Sequence, residues 1–198
     1  MAMVALGAGL TVNGYAANGA LEMMSGDKSS TLETKLSVPL TKKSYLFIRN
    51  RNDSDHEGKA SHFTLADAGY TLGSGIDAFC EAQFNEGPMS YGTGLQYFKK
   101  SGDLSLVLVP SISLNKEKDL NYQVILKYNP SISKDLRLLT QLEVLSGFRK
   151  GERLYGIERA RIGLEKKGYT LGIASDTNQT GSSNKTYSNI GGFIGIEF

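Results

Sequence analysis

The sequence predicts an all-β protein: one domain over residues 1–198, folded as a closed antiparallel up-and-down β-barrel of about 12 strands. Three observations carry this prediction. Segments with a period of two recur roughly every 10 to 20 residues, and no segment keeps a helical period. The connections between these segments alternate in character, and the last segment continues to the C-terminal residue. A chain of 198 residues is long enough to close such a barrel.

Each predicted strand is an alternating segment bounded by polar or glycine-containing residues. The predicted strands are residues 4–12, 31–40, 44–52, 62–72, 76–84, 90–98, 104–114, 119–129, 135–146, 153–165, 169–176 and 186–198. In residues 31–40, for example, Leu32 and Leu36 alternate with Glu33 and Lys35. Residues 16–30 are polar and contain glycines, and we expect a loop or an extended hairpin tip there.

The connections differ between even and odd strands. Those after strands two, four, six, eight and ten are compact, and four of these five contain lysine. Those after the odd strands, such as residues 53–61 and 177–185, are on the whole longer, more acidic or more polar. This alternation places compact turns at one rim and loops at the other, and an even strand number places both termini at the compact rim. Membrane-spanning barrels of the bacterial outer membrane have this architecture.

The closing strand has one nearly all-apolar face. Its last ten residues place Ile190, Gly192, Ile194, Ile196 and Phe198 on that face, opposite a mixed face of Asn189, Gly191, Phe193, Gly195 and Glu197. This ending resembles the closing strand of bacterial outer-membrane β-barrels, whose recurrent mark is a C-terminal phenylalanine. The resemblance implies an outer-membrane location, membrane lipid as a partner, other envelope proteins as possible partners, and Phe198 as an assembly signal. It also implies that a signal peptide has been removed, because residues 1–10 lack the basic start of one.

Alternation also divides the other strands into two faces. Strand nine sets Leu136, Leu138 and Leu142 against Arg137 and Glu143. In a membrane barrel the first face meets lipid and the second lines the lumen. The lumen-lining candidates are Lys35, Arg49, Arg51, Asp67, Asp77, Glu81, Lys127, Arg137, Glu143, Arg159 and Arg161. These charges either pair and plug a narrow barrel or select solutes in a water-filled pore. A soluble barrel with an apolar interior would show the same alternation with the faces reversed.

Composition excludes several kinds of function. The net charge of +2 and the absence of a basic run give no sign of nucleic-acid binding. The single Cys80 excludes an intramolecular disulfide and a multi-cysteine metal site, and we expect no cofactor and no metal. His56 lies in an acidic loop, residues 53–57, that could bind a divalent cation loosely, but a solvated loop is the favoured interpretation. No uninterrupted apolar run approaches the roughly 20 residues of a membrane helix.

Three functions remain open. The favoured one is a small outer-membrane barrel that acts as a passive pore or as a structural partner in an envelope assembly. The first alternative is a soluble lipocalin-like barrel that binds an apolar ligand. The second is an outer-membrane lipid-modifying enzyme, since some barrels of this size hydrolyse lipids with a Ser–His pair at the lipid face. Ser61, His62 and Asp67 lie close together in sequence, but no nucleophile motif accompanies them, so we predict that the protein is not an enzyme.

Overall fold

The computed structural model describes residues 11–12, 15–181 and 185–198. Twelve long strands form one sheet: β3 (Asn18–Gly26), β4 (Ser29–Pro39), β5 (Ser44–Asp55), β6 (Ala60–Gly73), β7 (Ile76–Asn85), β8 (Ser90–Ser101), β9 (Leu104–Ser113), β10 (Leu120–Tyr128), β12 (Leu136–Arg149), β13 (Glu152–Lys166), β14 (Tyr169–Thr180) and β15 (Lys185–Glu197). The short strands β1 (Thr11–Val12) and β2 (Tyr15–Ala16) pair with each other, and β11 (Ser131–Ser133) lies in the connection before β12.

The sheet closes on itself. Each of the twelve strands pairs antiparallel with the next one along the chain, β10 with β12, and a ladder between β3 and β15 closes the circle. At the β3–β15 seam the backbone of Gly19 and Phe198 exchanges two hydrogen bonds, of 2.6 and 2.9 Å. Closure removes every unpaired edge from these twelve strands. The prediction of a closed antiparallel up-and-down barrel is therefore confirmed.

Eleven of the predicted strands coincide with barrel strands, and the first does not. Of the two alternatives for residues 16–30, a loop is wrong, because the segment contains β3, which forms a hairpin with β4. Residues 4–10 of the predicted first strand lie outside the described residues, and the barrel closes without them. On its outer face β3 has only two large apolar side chains, Leu21 and Met23, so its own pattern is weak. Pairing with β4 on one side and β15 on the other makes it a strand.

The two rims differ less in loop length than the sequence indicates. We call the rim that contains Asn18 and Phe198 the terminal rim, and the opposite one the distal rim. Two-residue turns occur at both, for example Lys167–Gly168 at the terminal rim and Lys150–Gly151 at the distal rim. The strands extend into the segments predicted as distal loops: β5 continues to Asp55 and β14 continues to Thr180.

The exterior is apolar and the interior is polar. Ile173 is 68% exposed and Leu171 is 66% exposed on the outside, whereas Glu143 and Arg161 are 2% and 4% exposed inside. This is the reverse of a water-soluble barrel and is the arrangement expected of a barrel surrounded by lipid. The soluble alternative, with an apolar interior, is therefore wrong. No helix in the described part of the chain is long and apolar enough to cross a membrane.

The apolar exterior does not reach the distal rim on every strand. On β9 it extends from Leu104 to Ile112, but on β14 it ends at Ile173, beyond which Thr177 faces outward. On β13 the exposed Glu158 also faces outward above the apolar part. Part of the barrel wall therefore projects past the apolar band, where an outward-facing charge costs little.

Candidate functional site

The candidate site is a belt of charged side chains that crosses the lumen. Strand alternation points five basic and five acidic groups into it from β3, β4, β5, β12, β13 and β14. We call these ten residues the ion belt. They are Glu22, Glu33, Lys35, Arg49, Arg51, Asp53, Glu143, Arg159, Arg161 and Asp176.

Glu143 joins opposite walls of the barrel. It accepts hydrogen bonds from Arg49 Nη1 at 3.0 Å, Arg159 Nη1 at 3.2 Å and Gln123 Nε2 at 2.7 Å. Arg49 lies on β5 and Glu143 on β12, six strands apart in either direction around the barrel. Arg49 also donates from Nε to Glu33 on the neighbouring strand β4. These contacts therefore span the full width of the lumen.

Asp176 is the second centre of the ion belt. Its carboxylate accepts from Arg161 Nη1 at 2.6 Å and from Arg51 Nη2 at 2.8 Å, and Arg159 Nε lies 3.8 Å away. Arg161 also forms an ion pair with Glu22 on β3, with 2.9 Å between Nη2 and Oε1. Because Arg159 touches both Glu143 and Asp176, the two centres form one continuous network.

The ion belt closes the lumen at its level. Its seven central side chains are each at most 10% exposed. A small apolar cluster of Met24, Leu139, Ala174 and Phe193 is buried in the same interior, and Arg161 lies over the Phe193 ring at 5.8 Å. Five positive and five negative groups leave the ion belt without net charge.

Not every donor in the ion belt is satisfied. Arg49 Nη2, Arg51 Nη1 and Arg159 Nε are buried and make no hydrogen bond within the described residues. A buried donor without a partner carries a desolvation penalty of about 1–3 kcal/mol, and more when it is charged. The network is therefore not the fully satisfied arrangement that a dry, permanent plug would require.

The remaining lumen candidates lie outside the ion belt. Lys127 pairs with Glu197 at 3.4 Å, and Arg137 reaches Asp103 at 3.1 Å near the terminal rim. The other three form an acidic wall on β6 and β7, with Asp77 and Glu81 buried and Asp67 directly opposite Glu81 across the two strands. Among the described basic side chains, none forms an ion pair with a carboxylate of this acidic wall.

Three members of the ion belt were missing from the predicted lumen face, on which Glu33 lies together with Lys35. Glu22 and Asp53 fell in segments predicted as loops. Asp176 ended a predicted strand, but it shares the inward face of β14 with Ala174 and could have been found by counting in steps of two.

Ser61, His62 and Asp67, which lie close together in sequence, do not come together as a group in the structure. His62 faces the exterior, whereas Asp67, five residues along β6, faces the lumen. The acidic loop around His56 is occupied by internal contacts, because Asp55 Oδ1 accepts the backbone N–H groups of Glu57 and Lys59. Within the described residues no cluster of three or more potential ligands could hold a metal ion.

Comparison with known proteins was made at the level of sequence and of structure. No protein-family model and no curated protein sequence matches the chain. The KdgM porin, solved in complex with disordered oligogalacturonate, superposes with a TM-score of 0.55 at 11% identity, over 91% of this chain and 98% of its own. The NanC porin gives 0.55 at 12% identity, over 92% and 99%. LpxR from Salmonella typhimurium gives 0.48 at 10% identity, over 90% and 99%. The chain has the fold of bacterial outer-membrane β-barrels.

Proposed function

We propose that this protein is an outer-membrane barrel that forms a narrow passive pore, closed in the described state by the ion belt. The observation that carries the proposal is the incompletely satisfied charged network across the lumen. Its unused donors favour water in the lumen.

A purely structural plug would not need this network. Replacing buried ion pairs by packed apolar side chains of similar volume is often neutral or stabilising by about 1–4 kcal/mol. Charged groups offer something that an apolar plug does not, namely a hydrated path when the long arginine side chains exchange partners. The end-to-end superposition on two porins supports the same function.

The acidic wall favours a preference for cations. The ion belt contributes no net charge, so the excess lumen charges without an ion pair in the described part of the chain are all acidic. They are Asp67, Asp77 and Glu81 of the acidic wall and Glu165 on β13, whose carboxylate accepts a hydrogen bond from Asn129. Rings or walls of carboxylates favour cations in narrow pores. We expect a reversal potential under a KCl gradient that indicates weak cation selectivity, reduced by Asp77→Asn.

Single-channel recording in planar lipid bilayers tests the pore. The full chain should give small, discrete conductance steps, and Arg49→Ala should enlarge them because it removes the side chain that links β5 to β12. Arg153→Ala, which removes an exposed arginine near the distal rim, is the matched control and should leave them unchanged.

The absence of conductance in the bilayer would favour the other form of the proposal, a structural barrel within an envelope assembly. It would do so only if both the parent chain and Arg49→Ala are folded and neither conducts. Folding is checked on the same samples by the shift in gel mobility between boiled and unboiled protein.

A further inference from the structure

A closed ring of polar side chains lies on the outer face of β5 and β6. Asn52 is directly opposite His62 in this antiparallel pair, and Asn50 is directly opposite Thr64. All four side chains face outward, where the wall continues past the apolar band toward the distal rim. This outer polar ring is separate from the lumen and from the ion belt.

Four hydrogen bonds close the outer polar ring. Asn52 Nδ2 donates to Asn50 Oδ1 at 2.8 Å, and Asn50 Nδ2 donates to Thr64 Oγ1 at 3.0 Å. Thr64 Oγ1 lies 2.8 Å from His62 Nε2, and His62 Nδ1 lies 2.7 Å from Asn52 Oδ1. An amide oxygen only accepts, so Nδ1 of His62 carries the proton in its neutral form. Nε2 is then an acceptor, and the Thr64 hydroxyl donates to it.

This order of contacts is that of an activated hydroxyl nucleophile. A hydroxyl bonded to an imidazole, with the imidazole oriented by a third group, is the arrangement that makes an alcohol nucleophilic. Thr64 takes the part of the nucleophile and His62 that of the general base. Asn52 is a positioning residue that fixes the imidazole tautomer. Asn50 Nδ2 donates to Thr64 Oγ1 at 3.0 Å, which leaves the hydroxyl proton directed toward His62.

An exterior groove of about 380 Å³ borders the outer polar ring on its Asn52 and His62 side. Met23, Leu32 and Ala60 line it together with Asn52 and His62. Met23 and Leu32 are 51% and 42% exposed and belong to the apolar exterior. The groove therefore joins the lipid-facing surface to the imidazole, at the height where the hydrocarbon of a membrane gives way to ester and headgroup.

We infer that this outer polar ring is an acyl-ester hydrolase site whose substrate is a long-chain carboxylic ester of membrane lipid. Thr64 Oγ attacks the ester carbonyl carbon while His62 Nε2 accepts the hydroxyl proton. The tetrahedral adduct collapses, the C–O bond to the alcohol breaks, and the leaving alkoxide takes the proton from His62. Water then attacks the acyl-threonine ester, His62 accepts its proton and returns it to Thr64 Oγ, and the fatty acid leaves. Water is the only co-reactant.

The test uses the full chain folded in mixed micelles of detergent and phosphatidylethanolamine, with fatty-acid release as the readout. We expect release by the parent chain and by Thr64→Ser. His62→Ala should reduce it about 100-fold or more, as loss of a general base does, and Thr64→Val should reduce it to background. Thr177→Val is the matched control. It removes an outward-facing hydroxyl whose hydrogen-bond partner is another hydroxyl, Ser188 Oγ at 3.2 Å, and it should leave release unchanged.

Covalent labelling distinguishes a catalytic ring from a merely structural one, because only an activated hydroxyl would react with the label. A long-chain alkyl fluorophosphonate should add once to the parent chain, at the peptide containing Thr64, and should not add to Thr64→Val. Folding of every variant is checked by gel mobility. If folded parent chain releases no more fatty acid than Thr64→Val and takes up no label at Thr64, the inference is wrong. That result would leave the proposed pore untouched, because conductance is measured separately.

Discussion

Removing the carboxylate of Glu143 perturbs the ion belt at its most connected point. Glu143→Gln keeps the shape of the side chain but withdraws the negative charge shared by Arg49 and Arg159. Breaking a buried ion pair by removing one partner costs about 3–5 kcal/mol. Arg49 keeps Glu33, and Arg159 keeps its contact with Asp176, so we expect the lower end, about 3 kcal/mol. This is roughly a 100-fold change in the unfolding equilibrium constant.

Urea unfolding in lipid vesicles measures this change, with the fraction of folded protein read from unboiled gels. Glu158→Gln is the matched control, because it makes the same substitution at an exposed, outward-facing position on the neighbouring strand β13. We expect it to change stability by no more than about 0.5 kcal/mol. If both variants unfold at the same urea concentration, the Glu143 carboxylate does not hold the lumen closed, and the account of the ion belt is refuted.

The barrel seam and a distal loop each give a further prediction. A Cβ on Gly19 would overlap the C-terminal aromatic ring, so Gly19→Ala should lower stability by about 1–3 kcal/mol in urea. Gly192→Ala, whose nearest new neighbour would be 3.7 Å away, should not. In the distal loop, hydrogen bonds from Arg149 hold the pKa of Asp119 below its ordinary value of 3.8. This contact therefore stabilises the folded state above pH 3.8 and is lost as the pH falls through the lowered pKa. NMR titration should show the pKa of Asp119 returning toward 3.8 in Arg149→Gln.

Period-two alternation was enough to predict most of the barrel, because a wall with one lipid face and one lumen face imposes it on almost every strand. It failed at β3, where Glu22 faces inward and only Leu21 and Met23 mark the outer face. Residues 4–12 alternate more regularly, and the first strand was therefore predicted there instead. What makes β3 a strand is pairing with β4 and with β15. β15 is more than 160 residues away in sequence, and the local pattern carries no signal of that second partner.

The ion belt and the outer polar ring were harder to predict from the sequence than the fold was. Inward positions such as Arg49 and Glu143 follow from alternation, but their contact depends on barrel closure and on the stagger of strands 94 residues apart. The outer polar ring depends on register. In the β5–β6 hairpin Asn52 pairs with His62. Because Thr64 follows His62 by two residues, both side chains then lie on the outer face. A one-residue shift in the β5–β6 register would have placed the asparagine and histidine side chains on opposite faces.

The central claim is that lipid surrounds the barrel and charges line its lumen, and the single native cysteine tests it directly. Cys80 is exposed on the outer face of β7, and the adjacent Glu81 is buried on the inner face. A fluorophore attached to Cys80 in vesicles should be quenched by lipids brominated in the acyl chain. The same fluorophore attached through Glu81→Cys, in a Cys80→Ser background, should not be quenched. Quenching at the Glu81 position and not at Cys80 would contradict the assignment of the two faces, and with it the proposed pore.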